Sequence, residues 1–531
     1  MGVLADNPFL VSALLVGLGV IFRLLITKKK KTGPLPPGPK GLPLVGNIYH
    51  LPPKGVPEWK HWLQLKDAYG PISSITVFGT TYVFVQSREL ATELLDKRSL
   101  IYSSRSKFVF GGEMIGWNKT ILLTGYGEDF RLQRKSMHAM IGTPAAVLPY
   151  LPLLEKQTHR LLFRILQDPE RLSVHVRLGT LASVLKMLYG YTVDPYKEDP
   201  LVNLGRETLQ NFSKAFPTGA WLVDVIPALR YLPEWMPGAG FKKIAREWRS
   251  GFMANAGRSF QFTKRRMAKG NAGKSYVADF GLDLTPKEDE MVKWTATSLY
   301  AGGTDTIVNT LMAFFLAMML HPEVQRKAQE EIDQVIGSGR LPGFNDRDSL
   351  PYIEAVVKEA LRWFNVAPLS FPHATSDDDM VNGYYIPKGA IIFPNIWWFN
   401  HDPAVYPNPM AFDPSRFLGA DPCPDPGDHT FGYGRRLCPG KHFAYPAVWL
   451  TIARSLAVFN IGKGLDENGV EIEGPAADPV SLFSHGTSIR PEPFKATIKP
   501  RSSQHADLIR KVETLYPPEK GDADEVEDIA P

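Results

Sequence analysis

The sequence predicts a mainly α fold with small β-sheets (α+β), built as one large domain over residues 48–500. Three observations carry this. Residues 72–87, ISSITVFGTTYVFVQS, set β-branched and aromatic runs around Gly79-Thr80, the pattern of a hairpin. Residues 292–320 are a long apolar-rich helical run stopped by His321-Pro322, and Pro322 suits the first position of a following helix, PEVQRKAQEEIDQVI. Most of the remaining chain reads as helix, and neither an internal repeat nor a long low-complexity linker divides the 531 residues.

The elements follow in chain order. Residues 9–26, FLVSALLVGLGVIFRLLI, are apolar apart from Arg23, which is near enough to the end to snorkel, and KKKK follows at 28–31. A cleaved signal peptide carries its charge before the apolar run and a small-residue site after it. The order here is reversed, so residues 1–31 read as an uncleaved membrane anchor with its basic stop, leaving the bulk of the protein on the cytosolic side. The proline- and glycine-rich residues 32–47 read as a stiff hinge. Residues 216–240, proline-broken and rich in tryptophan and aliphatics, form a loop pair suited to a membrane surface or to plain packing. Within 292–320 the uncharged run is too short for a second span and suits a buried core helix. Residues 501–531 read as an acidic, disordered tail.

Composition narrows the function. Hydrophobic residues at 44% supply a sizeable core, and two cysteines, Cys423 and Cys438, cannot build a disulfide framework. Net charge is +5 although residues 519–531 hold six acids and one lysine. The positive excess is scattered among acids, without a basic stripe interleaved with aromatics, so nucleic acid is not the expected partner.

Cys438 stands in FGYGRRLCPG, residues 431–440. A lone cysteine without zinc spacing argues against structural zinc. A thiolate gains from a helix N-terminus, and Pro439 suits the first position of the helix PGKHFAYPAVWLTIARSL, while Gly434 and Gly440 permit close approach to a flat ligand. Cys423, in DPCPDPG, reads as an incidental loop thiol.

Phe431, Gly434, Arg436, Cys438 and Gly440 match, spacing for spacing, the haem-binding signature of the cytochrome P-450 family, which this chain therefore resembles over nearly its whole length. The resemblance implies haem b with Cys438 as the axial iron ligand, Phe431 packed beside it, and Arg436 paired with a propionate. EALR, ending at Arg362, and FDPSRF resemble the family's buried network, here Glu359, Arg362 and Arg416, which holds the haem-binding loop. GGTDT, residues 302–306, resembles the distal kink, with Asp305 and Thr306 as the acid-alcohol pair relaying protons and Gly302 and Gly303 opening the helix. FRLQR resembles a propionate-binding helix through Arg134, with Phe130 where the family has tryptophan, and His373 stands where relatives place a propionate-facing Arg or His.

The resemblance further implies a monooxygenase inserting one oxygen atom from O2 into an apolar small molecule. Residues 108–117, 366–371 and 482–488 are the expected pocket lining. No dinucleotide fingerprint occurs, so electrons are expected from a separate NADPH-dependent cytochrome reductase, with Arg131, Lys135, Arg435 and Lys441 as its docking face. The expected setting is the endoplasmic reticulum membrane, single-pass and facing the cytosol. In style the motifs look most like fungal members that tailor secondary metabolites, with a terpenoid as the lean. Two alternatives stay open: a haem-thiolate isomerase or dehydratase, against which Asp305-Thr306 weighs, and a non-catalytic haem sensor or ligand carrier.

Overall fold

The computed structural model describes residues 33–529 apart from 54, 195–196, 473–480 and 485. The predicted anchor and basic stop lie outside the described residues. In chain order the elements that build the site are α1 (Glu58–Tyr69), β1 (Ile72–Val77), β2 (Thr80–Val85), α2 (Glu128–Ile141), α3 (Leu151–Gln167), α4 (Leu172–Tyr189), α5 (Pro200–Ala215) and α6 (Phe241–Ala268). There follow α7 (Pro286–Leu320), α8 (Pro322–Val335), α9 (Pro351–Trp363), β3 (His373–Ala374), β4 (Asp379–Val381), β5 (Tyr384–Ile386), β6 (Ile391–Pro394) and α10 (Lys441–Val458). Strands β7 (Phe459–Lys463) and β8 (Ala496–Pro500) and helices α11 (Ser503–Arg510) and α12 (Asp524–Glu527) close the fold. The α+β expectation holds.

Helix α7 is the axis of the core. It starts at Pro286, earlier than its apolar pattern suggests, because Thr285 and Glu288 cap it reciprocally: the Thr285 hydroxyl accepts from the Glu288 N–H and the Glu288 carboxylate accepts from the Thr285 N–H. Its apolar C-terminal half is buried against α4, α8, α9 and α10. The helix is long and apolar enough to cross a membrane, yet it is mostly enclosed by protein, as a core helix should be.

The predicted hairpin forms β1 and β2, with the turn at Phe78 and Gly79. The sheet order is β1-β2-β6-β3, with β2 and β6 parallel and β6 and β3 antiparallel. Ala374 of β3 also bridges Ser104, which draws residues 102–105 up to His373 although they are far apart in sequence.

Two expectations about the ends need correction. Residues 33–47, expected as a stiff hinge, are stitched along the sheet. The carbonyls of Pro36 and Pro37 accept from the hydroxyl and N–H of Ser74, and that of Pro34 accepts from Tyr385 N–H. A Cβ on Gly38 would lie 1.8 Å from the Ser74 carbonyl oxygen, so only glycine allows this approach. Proline lacks a donor but keeps a good acceptor, which is what a strand edge needs.

Nor is 501–529 a disordered tail. Helix α11 packs on α3, Val526 and Ile529 are buried, and the acids meet cations, with Glu519 on Lys156 and Asp522 and Glu525 on Arg266. The acidic composition suggested repulsion, but the body supplies the opposite charge.

Candidate functional site

Residues 431–441 form a tight loop closed by the Cys438 N–H donating to the Phe431 carbonyl at 2.8 Å. Helix α10 begins at Lys441, so Pro439 lies before it rather than at its first position; a Pro439-Gly440 turn aims the first backbone donors at the sulfur. Burial pushes the Cys438 thiol up, opposed by N–H groups of Gly440 and Lys441 and by the Arg134 and Lys441 charges. The electrostatics expected of a helix start are therefore present, through a different residue.

Gly434 serves the loop differently from the expectation. At φ +48°, a Cβ there would meet the Leu95 carbonyl oxygen at 2.3 Å, so glycine is needed where the loop crosses the π-helical turn Glu93–Lys97. Gly440 has only ordinary contacts, since a Cβ there would lie 3.9 Å from both Cys438 Sγ and the Ile141 side chain.

Near the sulfur lies a cluster of half-buried cations. Arg436 donates to the carbonyls of Ser103 at 2.8 Å, Ile121 at 2.9 Å and Thr124 at 2.6 Å, and its guanidinium is 4.0 Å from the centre of the Phe130 ring. Phe130, in place of a tryptophan, thus cushions an arginine. Burial first, then the Arg134 charge, brings Arg436 down to about 9. Arg134 is also lowered by burial, with Cys438 acting the other way, and it hydrogen-bonds to no described residue. His373 donates from Nδ1 to the Tyr102 carbonyl at 2.8 Å, and burial and then the Arg105 charge keep its imidazole neutral.

Arg105 is the member that sequence reasoning missed. It donates to the carbonyls of Leu122, Phe371 and Pro372, and is held well below its ordinary value by burial and then by Arg436. In SSRSK a lone arginine among serines looks like solvated surface; only the Ser104–Ala374 bridge reveals its place. Among the described residues no carboxylate pairs with Arg105, Arg134 or Arg436, and the Ser103 and Ser106 hydroxyls nearby are buried without partners. Charge of one sign gathered in a half-buried cluster calls for an anion. A dianionic haem fits this set.

On α7 the helix is continuous across 302–306 rather than interrupted. The Thr306 hydroxyl donates to the Gly302 carbonyl at 2.7 Å, and a Cβ on Gly302 would meet open space. A Cβ on Gly303 would face α4, 3.6 Å from the Val184 side chain. Asp305 pairs with Arg177 of α4, both about a quarter exposed, and makes no hydrogen bond to Thr306. The acid and the alcohol are thus adjacent but not joined.

The buried network forms as expected. Glu359, fully buried, accepts from Arg362 Nε at 2.6 Å and Nη2 at 2.7 Å, from Arg416 Nε at 3.2 Å and from the Asp413 N–H at 2.8 Å. Arg362 also donates to the carbonyls of Asn400, Pro409 and Ala411, which ties α9 to residues 400–411 ahead of the Cys438 loop.

The expected pocket lining divides. Phe108 and Phe371 meet Phe212 and Phe216 from the end of α5 in one aromatic cluster, with centroids 4.8 to 6.3 Å apart. Phe110 and Trp117 are core instead, stacked on Trp221 and Phe252. Leu482 and Phe483 are core too, the latter edge-on to Trp363.

The family model described as Cytochrome P-450 matches residues 36–469. Cytochrome P-450 monooxygenase claR of Ampulloclitocybe clavipes is 50% identical over 513 residues, 95% of this chain and 94% of that protein. The multifunctional cytochrome P-450 monooxygenase af510 of Aspergillus fumigatus is 39% identical over 94% of both chains. The O-methylsterigmatocystin oxidoreductase of Aspergillus flavus is 36% identical over 96% of both. The match runs through the Cys438 loop, the cation cluster and α7 alike: the chain belongs to the cytochrome P-450 family and is a haem-thiolate monooxygenase served by a redox partner.

Proposed function

We propose that this protein oxidises an apolar small molecule in fungal secondary metabolism, with Cys438 as the iron ligand. The observation that carries the assignment is the half-buried Cys438 next to Arg134, which with Arg436 and Arg105 forms a run of guanidiniums that no described carboxylate neutralises. Arg105, Arg134 and Arg436, with neutral His373, would hold the propionates. Bound there, the haem supplies activation of O2 and transfer of one oxygen atom to the substrate, the other leaving as water.

The chain's own residues do the rest. N–H groups of Gly440 and Lys441 stabilise negative charge on Cys438. Because the Thr306 hydroxyl donates to Gly302, its lone pairs are free to accept from water. Asp305, a quarter exposed, collects protons from solvent and passes them toward Thr306 by releasing Arg177. The cluster of Phe108, Phe212, Phe216 and Phe371 favours an apolar guest and excludes water; terpenoids, compact and hydrocarbon-rich, are the first class to test.

Exposed Arg131, Lys135 and Arg435 beside the Cys438 loop support docking of an acidic NADPH-dependent reductase, whereas Lys441 is partly covered and bonds to the Gly427 carbonyl. Residues 9–26, together with Leu222, Tyr231 and Trp235, which are 63%, 75% and 81% exposed, support residence on the endoplasmic reticulum membrane facing the cytosol.

Reconstitution with reductase and a panel of apolar scaffolds tests the reading. A hydroxylated product formed in step with NADPH consumption, and uncoupled from it in Thr306→Ala, is expected. Conversion that proceeds without reductase would favour the isomerase alternative.

A further inference from the structure

We infer that the C-terminal segment 516–529 is a strap that positions the α5–α6 pair over the substrate chamber, with Arg266 as its positioning residue. Its role rests on the chamber assigned above.

The strap crosses the body by a ladder of polar contacts. The Pro517 carbonyl accepts from Arg160 at 2.7 Å, and Glu519 pairs with Lys156, both cations standing on α3. The Asp522 N–H donates to the Thr192 carbonyl at 2.9 Å, while its carboxylate accepts from the Thr192 N–H at 2.7 Å. A Cβ on Gly521 would lie 2.6 Å from Asp194 Cβ, so the two chains cross in close contact. The strap ends at Arg266, whose guanidinium donates to Asp522 at 2.7 Å and to Glu525 at 2.6 Å, and Val526 is completely buried where α12 meets α5 and α6.

These contacts fall at one end of the helix pair. Arg266 is in the last turn of α6. Tyr191, next to Thr192, donates at 2.7 Å to Asp199, the residue that caps the start of α5. Phe262 on α6 joins the two, its ring 5.1 Å from that of Tyr191 and 4.6 Å from the Arg266 guanidinium. Phe212 and Phe216, which face Phe108 and Phe371, are at the opposite end of α5.

A helix of 16 residues is about 24 Å long, so a tilt of about 5° at the strapped end displaces the phenylalanines by about 2 Å. That is comparable to the slack between stacked rings. The strap therefore fixes, through the helix pair, the clearance available to a bulky guest. A small ligand, reaching the iron without parting the phenylalanines, is indifferent to it.

The test uses the full-length holoprotein and two nitrogen ligands read by the haem spectrum, imidazole and the triaryl-bearing clotrimazole. In Arg266→Glu, which sets like charges against Asp522 and Glu525, clotrimazole is expected to dissociate about fivefold faster, with imidazole binding and the carbon-monoxide spectrum unchanged. The paired reversal Arg266→Glu/Glu525→Arg restores the slow rate. Where Arg266→Glu yields no haem protein, Arg266→Gln carries the same comparison. Unchanged clotrimazole kinetics, a parallel change in both ligands, or failure of the paired reversal to restore the rate overturns the strap. Absence of a nitrogen-ligated spectrum with imidazole in the parent protein overturns the haem-site assignment instead, and the strap with it.

Discussion

Two ionic clusters in this protein, one buried and one half-buried, meet their charge in opposite ways. Glu359 accepts from both Arg362 and Arg416, and the spare guanidinium donors reach backbone carbonyls, so that network is complete within the chain. Arg105, Arg134 and Arg436 have carbonyls or nothing, with no carboxylate among the described residues. The first cluster is architecture. The second is, on the function proposed above, a receptor whose electrostatic cost is offset when its anion arrives.

The largest effect expected falls on the sulfur that both clusters serve. Cys438→Ser should abolish the thiolate-type carbon-monoxide difference band and all turnover; a surviving band would remove Cys438 as ligand. Next, Glu359→Gln strands two buried guanidiniums and should cost about 3 to 5 kcal/mol in the urea unfolding of the protein, with haem content falling alongside. A mild loss would mean that the carbonyls alone suffice.

The receptor cluster should respond in the reverse sense. Arg134→Met removes a charge that bonds to nothing described, so the haem-free protein should be no less stable, while haem dissociates about tenfold faster, read by transfer to apomyoglobin. Equal destabilisation of both forms would make Arg134 architectural as well. At neutral pH the smallest effect is that of His401, which acts only as the pH falls. Burial, and then the Arg362 charge, holds His401 down to about 3 against an ordinary 6.5. The unfolded chain takes up that proton first, so stability is full above about pH 6.5 and falls by up to about 1.4 kcal/mol per pH unit toward pH 3. His401→Gln should flatten that decline, as followed by urea midpoints across the window.

What could be read from sequence divides along the same line. The Cys438 loop and the Glu359 network were legible because their short motifs, FGYGRRLCPG, EALR and FDPSRF, resemble those of the family. So was α7, whose apolar run is continuous. Arg105 was not, because its place depends on a bridge between residues 104 and 374. The docked C-terminal segment was hidden for a related reason: acidity signals disorder until the cations that meet it, on α3 and α6, are brought alongside. The orientation of Asp305 toward α4 also depends on a partner helix, although its position beside Thr306 is plain from the chain.

Arg436 clasps the carbonyls of Ser103, Ile121 and Thr124 across more than 300 residues of sequence. During synthesis those carbonyls emerge long before the arginine that will cover them, and so does Phe130. The proximal wall therefore cannot close until almost the whole chain has left the ribosome, and its closure carries a heavy loop entropy. Cofactor capture is thereby a late event in the life of the polypeptide, one that certifies the completed product instead of guiding its early folding.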